Sequence, residues 1–188
     1  GRNFDIRKTL IKFDDVMNDQ RQVIFGQRLK ILKSLNISDI LKSFLEEALS
    51  NLENLKNDYL KSHDKKTYIT STKNILGNVL NDNELIELTS LSKVDFNLKI
   101  SGIYVSKQNE RVKLIGKDEN NEIEKKILLQ IIDFAWRSHL QYLEELRQVI
   151  GLRSYGQKDP LSEFKKEAFV LFEGLLEKIK TDIVKFLL

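Results

Sequence analysis

The side chains with which this sequence could do chemistry are few and poorly placed for it. Two histidines, His63 and His139, lie far apart, and the absence of Cys removes disulfides, thiolate metal sites and cysteine nucleophiles. Asp14-Asp15 and Glu144-Glu145 are adjacent carboxylate pairs. Neighbours in a helix point about 100° apart, so neither pair converges as a general acid and base must. His139 falls on an apolar stripe with no carboxylate or Cys cluster beside it, and reads as a core histidine hydrogen-bonded to a neighbour. His63 reads as a loop residue, and Trp136, the single Trp, as a packing anchor. No phosphate-binding Gly-rich loop, dinucleotide-binding turn or His-Glu-x-x-His metal helix is present. The expectation is that these residues carry no catalytic site and hold no cofactor or metal.

What positions these side chains is helix. The chain has 188 residues, 31% charged and 41% hydrophobic, with a single Pro, a composition that suits a folded chain with a heavily solvated surface and long uninterrupted helices. Its 31 basic and 28 acidic residues leave a net charge of +3 and are interleaved, which argues against a nucleic-acid binder, whose basic residues gather on one face. No apolar run approaches the roughly 18 to 20 residues needed to span a bilayer.

From Arg2 to about Leu35, Ile6, Leu10, Phe13, Met17, Ile24 and Ile31 fall near a 4-3 repeat, predicting one helix roughly 50 Å long. Asp14, Asp15, Asn18, Asp19, Gln20 and Arg21 cluster in its middle, where such residues weaken a helix and suggest either contacts elsewhere or a plain solvated face. Leu35 to Asp39 breaks the repeat, Ser38 reads as an N-cap, and a second helix runs to about Ser62. Between His63 and Asn121 polar clusters separate short apolar pieces, as in a small lobe with connecting loops. Within it, Val94 to Val105 and Arg111 to Ile115 alternate apolar and polar residues, a pattern that fits a short β-hairpin, although helix and strand are confused in such runs.

The last third is the most regular. Leu128, Ile132, Ala135, His139, Tyr142, Leu146 and Val149 keep a 4-3 spacing, and Leu161, Phe164, Ala168, Leu171, Leu175, Ile179, Ile183 and Phe186 make a similar stripe. Two such helices joined by about eight residues should fold back antiparallel. The loop ends where Asp159 can cap the next helix and Pro160 fits its first turn. The expected fold is mainly α, in three parts: a long helix over 1–36, a small helical lobe over 37–120, and a two-helix hairpin over 121–188.

These residues resemble a family. Arg2-Asn3-Phe4-Asp5-Ile6-Arg7-Lys8 and Phe13-Asp14-Asp15-Val16-Met17-Asn18-Asp19-Gln20-Arg21 look like the scaffold helix of SecA, the ATPase that drives preproteins through the bacterial Sec channel. Trp136-Arg137-Ser138-His139-Leu140, the run Leu146 to Pro160 and Phe164-Lys165-Lys166-Glu167-Ala168-Phe169 resemble that family's two-helix finger. The match is close over about residues 2 to 30 and 124 to 175; between them the family places its helical wing, which matches in order and length but in few residues.

The resemblance implies a structural, force-transmitting portion of a motor whose ATP and Mg bind in domains absent from this chain. Asp5, Arg7, Asp15 and Arg21 would contact those motor domains, and Trp136, Tyr142 and Leu146 would hold the finger to the scaffold. Arg153, Ser154, Tyr155, Gly156, Gln157 and Lys158 would form the finger tip that meets unfolded preprotein and the SecYEG channel, with Tyr155 in the place of the family's tip tyrosine. A phenol offers apolar area and one hydroxyl, so it can press on many passing side chains, while Arg153 and Lys158 add charge suited to channel loops or anionic headgroups. The implied location is cytoplasmic, peripherally associated with the inner membrane through the channel. The rival reading is a stand-alone helical adaptor that binds partner helices; the chain opens on Gly1 and runs straight into helix, as a fragment of a longer protein would.

Overall fold

A computed structural model of the chain describes residues 2–153 and 159–188. Among them the regular elements are seven α-helices: α1 (Arg2–Lys33), α2 (Ser38–Ser62), α3 (Lys65–Leu76), α4 (Asp82–Leu88), α5 (Lys93–Ile115), α6 (Lys117–Arg153) and α7 (Pro160–Leu187). The chain divides into two compact units. One comprises α1 with Leu129–Ile179, the other Ser34–Leu128 with Lys180–Leu188. Both α6 and α7 thus contribute residues to each unit.

Short polar side chains set most helix boundaries of the second unit. The Asn36 carboxamide oxygen accepts from the Ser38 backbone N–H at 2.9 Å and the Ser38 hydroxyl at 2.6 Å, so Asn36 opens α2 and Ser38 is its first residue, not its cap. The α2 helix ends at His63, which adopts the left-handed conformation (φ 57°) while its N–H donates to Tyr59 O at 2.8 Å. Asp64 caps α3 by accepting from Thr67, Asn81 and Glu84 form a reciprocal capping box on α4, and Ser92 caps α5 by accepting from Asp95 N–H at 3.1 Å. Gly116 closes α5 at φ +87°, a backbone conformation that side chains disfavour.

The stretch Val94 to Ile115 lies within the helix α5, which corrects the β-hairpin expectation. Phe96, Ile100 and Tyr104 are buried on one face at a spacing of four, whereas Val94, Leu98 and Val105 lie exposed on the other side. Residues two apart stand about 200° round a helix, so a helix with apolar residues on both faces produces in sequence the alternation of a strand.

Apolar burial joins these pieces. Leu41, Phe44, Leu45, Ala48, Leu49 and Leu52 form the inner face of α2, Tyr59 stacks on Tyr68 of α3 with ring centroids 4.9 Å apart, and the Tyr68 hydroxyl donates to Leu85 O at 3.2 Å. Lys56 is also buried; its ammonium donates to Leu91 O and lies 5.2 Å from the centre of the Phe96 ring, so the α4–α5 turn is tied to α2.

Candidate functional site

In the first unit the side chains expected to hold a finger to a scaffold can be followed residue by residue. Phe13 of α1 packs on Phe164 of α7 with ring centroids 4.8 Å apart, tilted by 58°. Leu143 and Ile150 of α6 and Ala168 of α7 complete this buried cluster, with Val16, Met17, Leu146 and Leu161 packed against it. Three helices therefore share one core, close on either side to the connection between α6 and α7.

One turn further along α1 the core becomes polar. Gln20, 7% exposed, donates from its amide nitrogen to Ala168 O at 3.0 Å. Its carbonyl oxygen Oε1 stands 2.7 Å from His139 Nε2, and since that oxygen can only accept, His139 Nε2–H is the donor. The imidazole is 4% exposed, between Trp136 at 5.5 Å and Phe172 at 5.7 Å between ring centroids. Burial disfavours its charged form and pushes its pKa down to about 4. It is thus neutral at physiological pH and serves as a donor, not as a base.

Ion pairs flank this bond. Asp14 of α1 meets Arg147 of α6 at 3.0 Å, and Arg147 also reaches Glu144. Arg28 grips Asp133 with two nitrogens, at 2.7 and 3.1 Å. Sequence numbers rise along α1 from Asp14 to Arg28 as they fall along α6 from Arg147 to Asp133, so these two segments run antiparallel.

The other expected contact residues are distributed as follows. Trp136 is buried, Leu146 is half-buried against the Phe13 cluster, and Tyr142 is 63% exposed, with Leu143 in the buried place beside it. Arg7, Asp15 and Arg21 are exposed on α1. Ser154, Tyr155, Gly156, Gln157 and Lys158 lie outside the described residues, as do the side chains of Asp5 and Arg153. Asp159 caps α7, accepting from the Ser162 hydroxyl at 2.7 Å and the Ser162 N–H at 3.2 Å. The hydroxyl bond holds its carboxyl below the ordinary range.

Sequence reasoning did not single out Gln20, Asp14, Arg28, Asp133 and Arg147 as a set. A signal for Gln20 existed: it is a polar side chain on the apolar stripe of Phe13, Met17, Ile24 and Ile31.

The second unit contains a polar cleft of about 420 Å³ whose lining includes Asn36, Gln108, Asn109, Lys117, Asn120, Asn121 and Glu124. Two of its groups are engaged by the chain itself: Asn121 accepts from Ile37 N–H at 3.2 Å and donates to Leu35 O at 3.1 Å, and the buried Glu124 is bound by Arg111 at 3.1 Å; the buried Asn120 Oδ1 has no partner among the described residues. Among the described residues no group of His, Asp or Glu is arranged to hold a metal ion.

Long helices with a shared core and cross-helix ties define a helical scaffold with an inserted lobe. The whole chain, residues 1–188, matches the family model described as SecA Wing and Scaffold domain, and the protein belongs to that family. It is 50% identical over 188 residues to the protein translocase subunit SecA of Pelagibacter ubique. Over their matched lengths it is 39% identical to the same subunit of Hyphomonas neptunium and 37% to that of Caulobacter vibrioides. Each match takes in all of this chain but only 21 to 22% of the relative, so the chain spans about a fifth of the length of these relatives.

Proposed function

We propose that this chain is the structural, force-transmitting portion of an ATP-driven motor that moves preproteins through the SecYEG channel. In this reading α6 and α7 form an antiparallel two-helix finger, α1 is the scaffold on which it rests, and the loop carrying Tyr155 is the tip. The supporting observation is the core of Phe13, Leu143, Ile150, Phe164 and Ala168. It joins α1 to residues just before and just after the tip loop, so a displacement of α1 is handed to both helices of the finger through close-packed side chains. Such a core resists deformation because interiors are dense.

ATP and Mg would be bound by domains of the longer protein that lie outside this chain, with Asp5, Arg7, Asp15 and Arg21 facing those domains. The tip residues Arg153 to Lys158 would meet unfolded preprotein and the channel mouth, with anionic headgroups as a further contact for Arg153 and Lys158. The assembly would work at the cytoplasmic face of the inner membrane, held there peripherally through the channel. No helix among the described residues is long and apolar enough to cross a membrane, in keeping with that placement.

The test is Tyr155→Gly in the full-length parent. Preprotein translocation is expected to fall while the thermal unfolding of the protein is unchanged; transport at the parent's rate would refute the assignment of the tip.

A further inference from the structure

The apolar stripe of α1 nearly repeats every seven residues: Phe13 and Gln20, Met17 and Ile24, and Ile24 and Ile31 are each one heptad apart. A displacement of α1 along its axis by one heptad, about 10 Å, would therefore lay most of the stripe back on itself. Apolar packing alone discriminates weakly between such registers, as in coiled coils where one buried polar residue fixes the alignment.

We propose that Gln20 and His139 are positioning residues that fix the axial register of α1 against α6 and α7. Moving α1 one way places Phe13 at His139 and leaves the imidazole N–H without an acceptor. Moving it the other way brings the now exposed Gln27 to His139, but it carries the Gln20 amide into the site of Phe13, lined by Leu143, Ile150 and Phe164. In either register a buried polar group loses its partner, and leaving such a group unsatisfied is far more costly than the bond is stabilising.

The charges outside the core discriminate in the same sense. Arg7, Asp14 and Arg21 are spaced by one heptad, and Asp14 is the one that pairs with Arg147. A slip in either direction sets Arg7 or Arg21 against Arg147. That repulsion is exposed and screened by salt, whereas the bond of His139 to Gln20 is buried and is not. For its use the register lock rests on the force-transmitting reading, since a scaffold that slid under load would dissipate an axial push. For its existence it rests on the geometry alone.

The test is a spin-label distance measurement in the full-length parent, with labels introduced independently of cysteine at Lys30 and Gln148. Both positions are exposed, and they lie toward opposite ends of the paired segments, so sliding changes their separation almost directly. In molar salt the parent is expected to give one distance. The double variant Gln20→Leu/His139→Leu is expected to add a second population displaced by about 10 Å while melting no lower than the parent, because replacing both partners by apolar groups leaves nothing unsatisfied between them. His139→Gln, which keeps a donor for Gln20, is expected to restore the single distance. A double variant with one unshifted distance, or a His139→Gln variant that slides as the double variant does, would overturn the proposal. If the double variant does not fold, Gln20→Met alone carries the same comparison. A double variant that slides and yet transports normally would uphold the lock and refute the force-transmitting reading.

Discussion

The buried imidazole of His139 makes acid the sharpest probe of the three-helix core. Its pKa is about 4 in the folded chain against an ordinary value of 6.5. Between those values the unfolded state binds more protons than the folded one, so stability rises with pH through this window and is lost as pH falls through it. The contribution is complete above 6.5 and is exhausted near 4. From pH 7 to pH 5 the two pKa values give a loss of about 2 kcal/mol from this residue alone. The assay is urea unfolding at both pH values, followed by the fluorescence of Trp136, the only Trp in the chain, whose ring lies 5.5 Å from the imidazole. His139→Gln keeps the donor to Gln20 but cannot titrate, so its loss over the same interval is expected to be smaller than the parent's by about 2 kcal/mol. Equal losses in the two proteins would refute the claim that His139 is held neutral by burial.

Two further outcomes test the second unit. Arg111 binds Glu124 at 3.1 Å and Leu187 O at 2.7 Å, so Arg111→Met, which strands the buried carboxylate, is expected to destabilise by about 3 to 5 kcal/mol, with most of the loss recovered in the Arg111→Met/Glu124→Leu pair; denaturant midpoints give both. Gly102 lies inside α5 with open space where a Cβ would stand, so Gly102→Ala is expected to raise stability by roughly 0.5 to 1 kcal/mol, and a decrease in melting temperature would argue against a helix there.

The long helices were legible because their apolar residues recur at three and four, and because Pro160 and Asp159 mark a boundary by chemistry that acts within a few residues. Strict extrapolation of a 4-3 repeat erred late in each helix. On α6 it selects Tyr142 and Val149, where Leu143 and Ile150 are buried; on α7 it selects Phe186, where Leu187 is buried. A straight helix drifts about 20° per heptad relative to a 3.5-residue repeat, so the buried stripe moves on by one residue. The strand-like reading of α5 failed for a different reason, its second apolar face, which no local pattern separates from alternation. The polar core was legible only in halves. His139 announces itself by lying on a seam, but its partner Gln20 is 119 residues away in sequence and the acceptor of Gln20, Ala168 O, 148. No spacing rule links residues that only the packing of three helices brings together.

The most direct test of the force-transmitting role is site-specific crosslinking from position 155 of the full-length parent, with a preprotein stalled in the channel. The account predicts adducts with both the stalled preprotein and SecYEG. Adducts confined to the parent's own chain would contradict it.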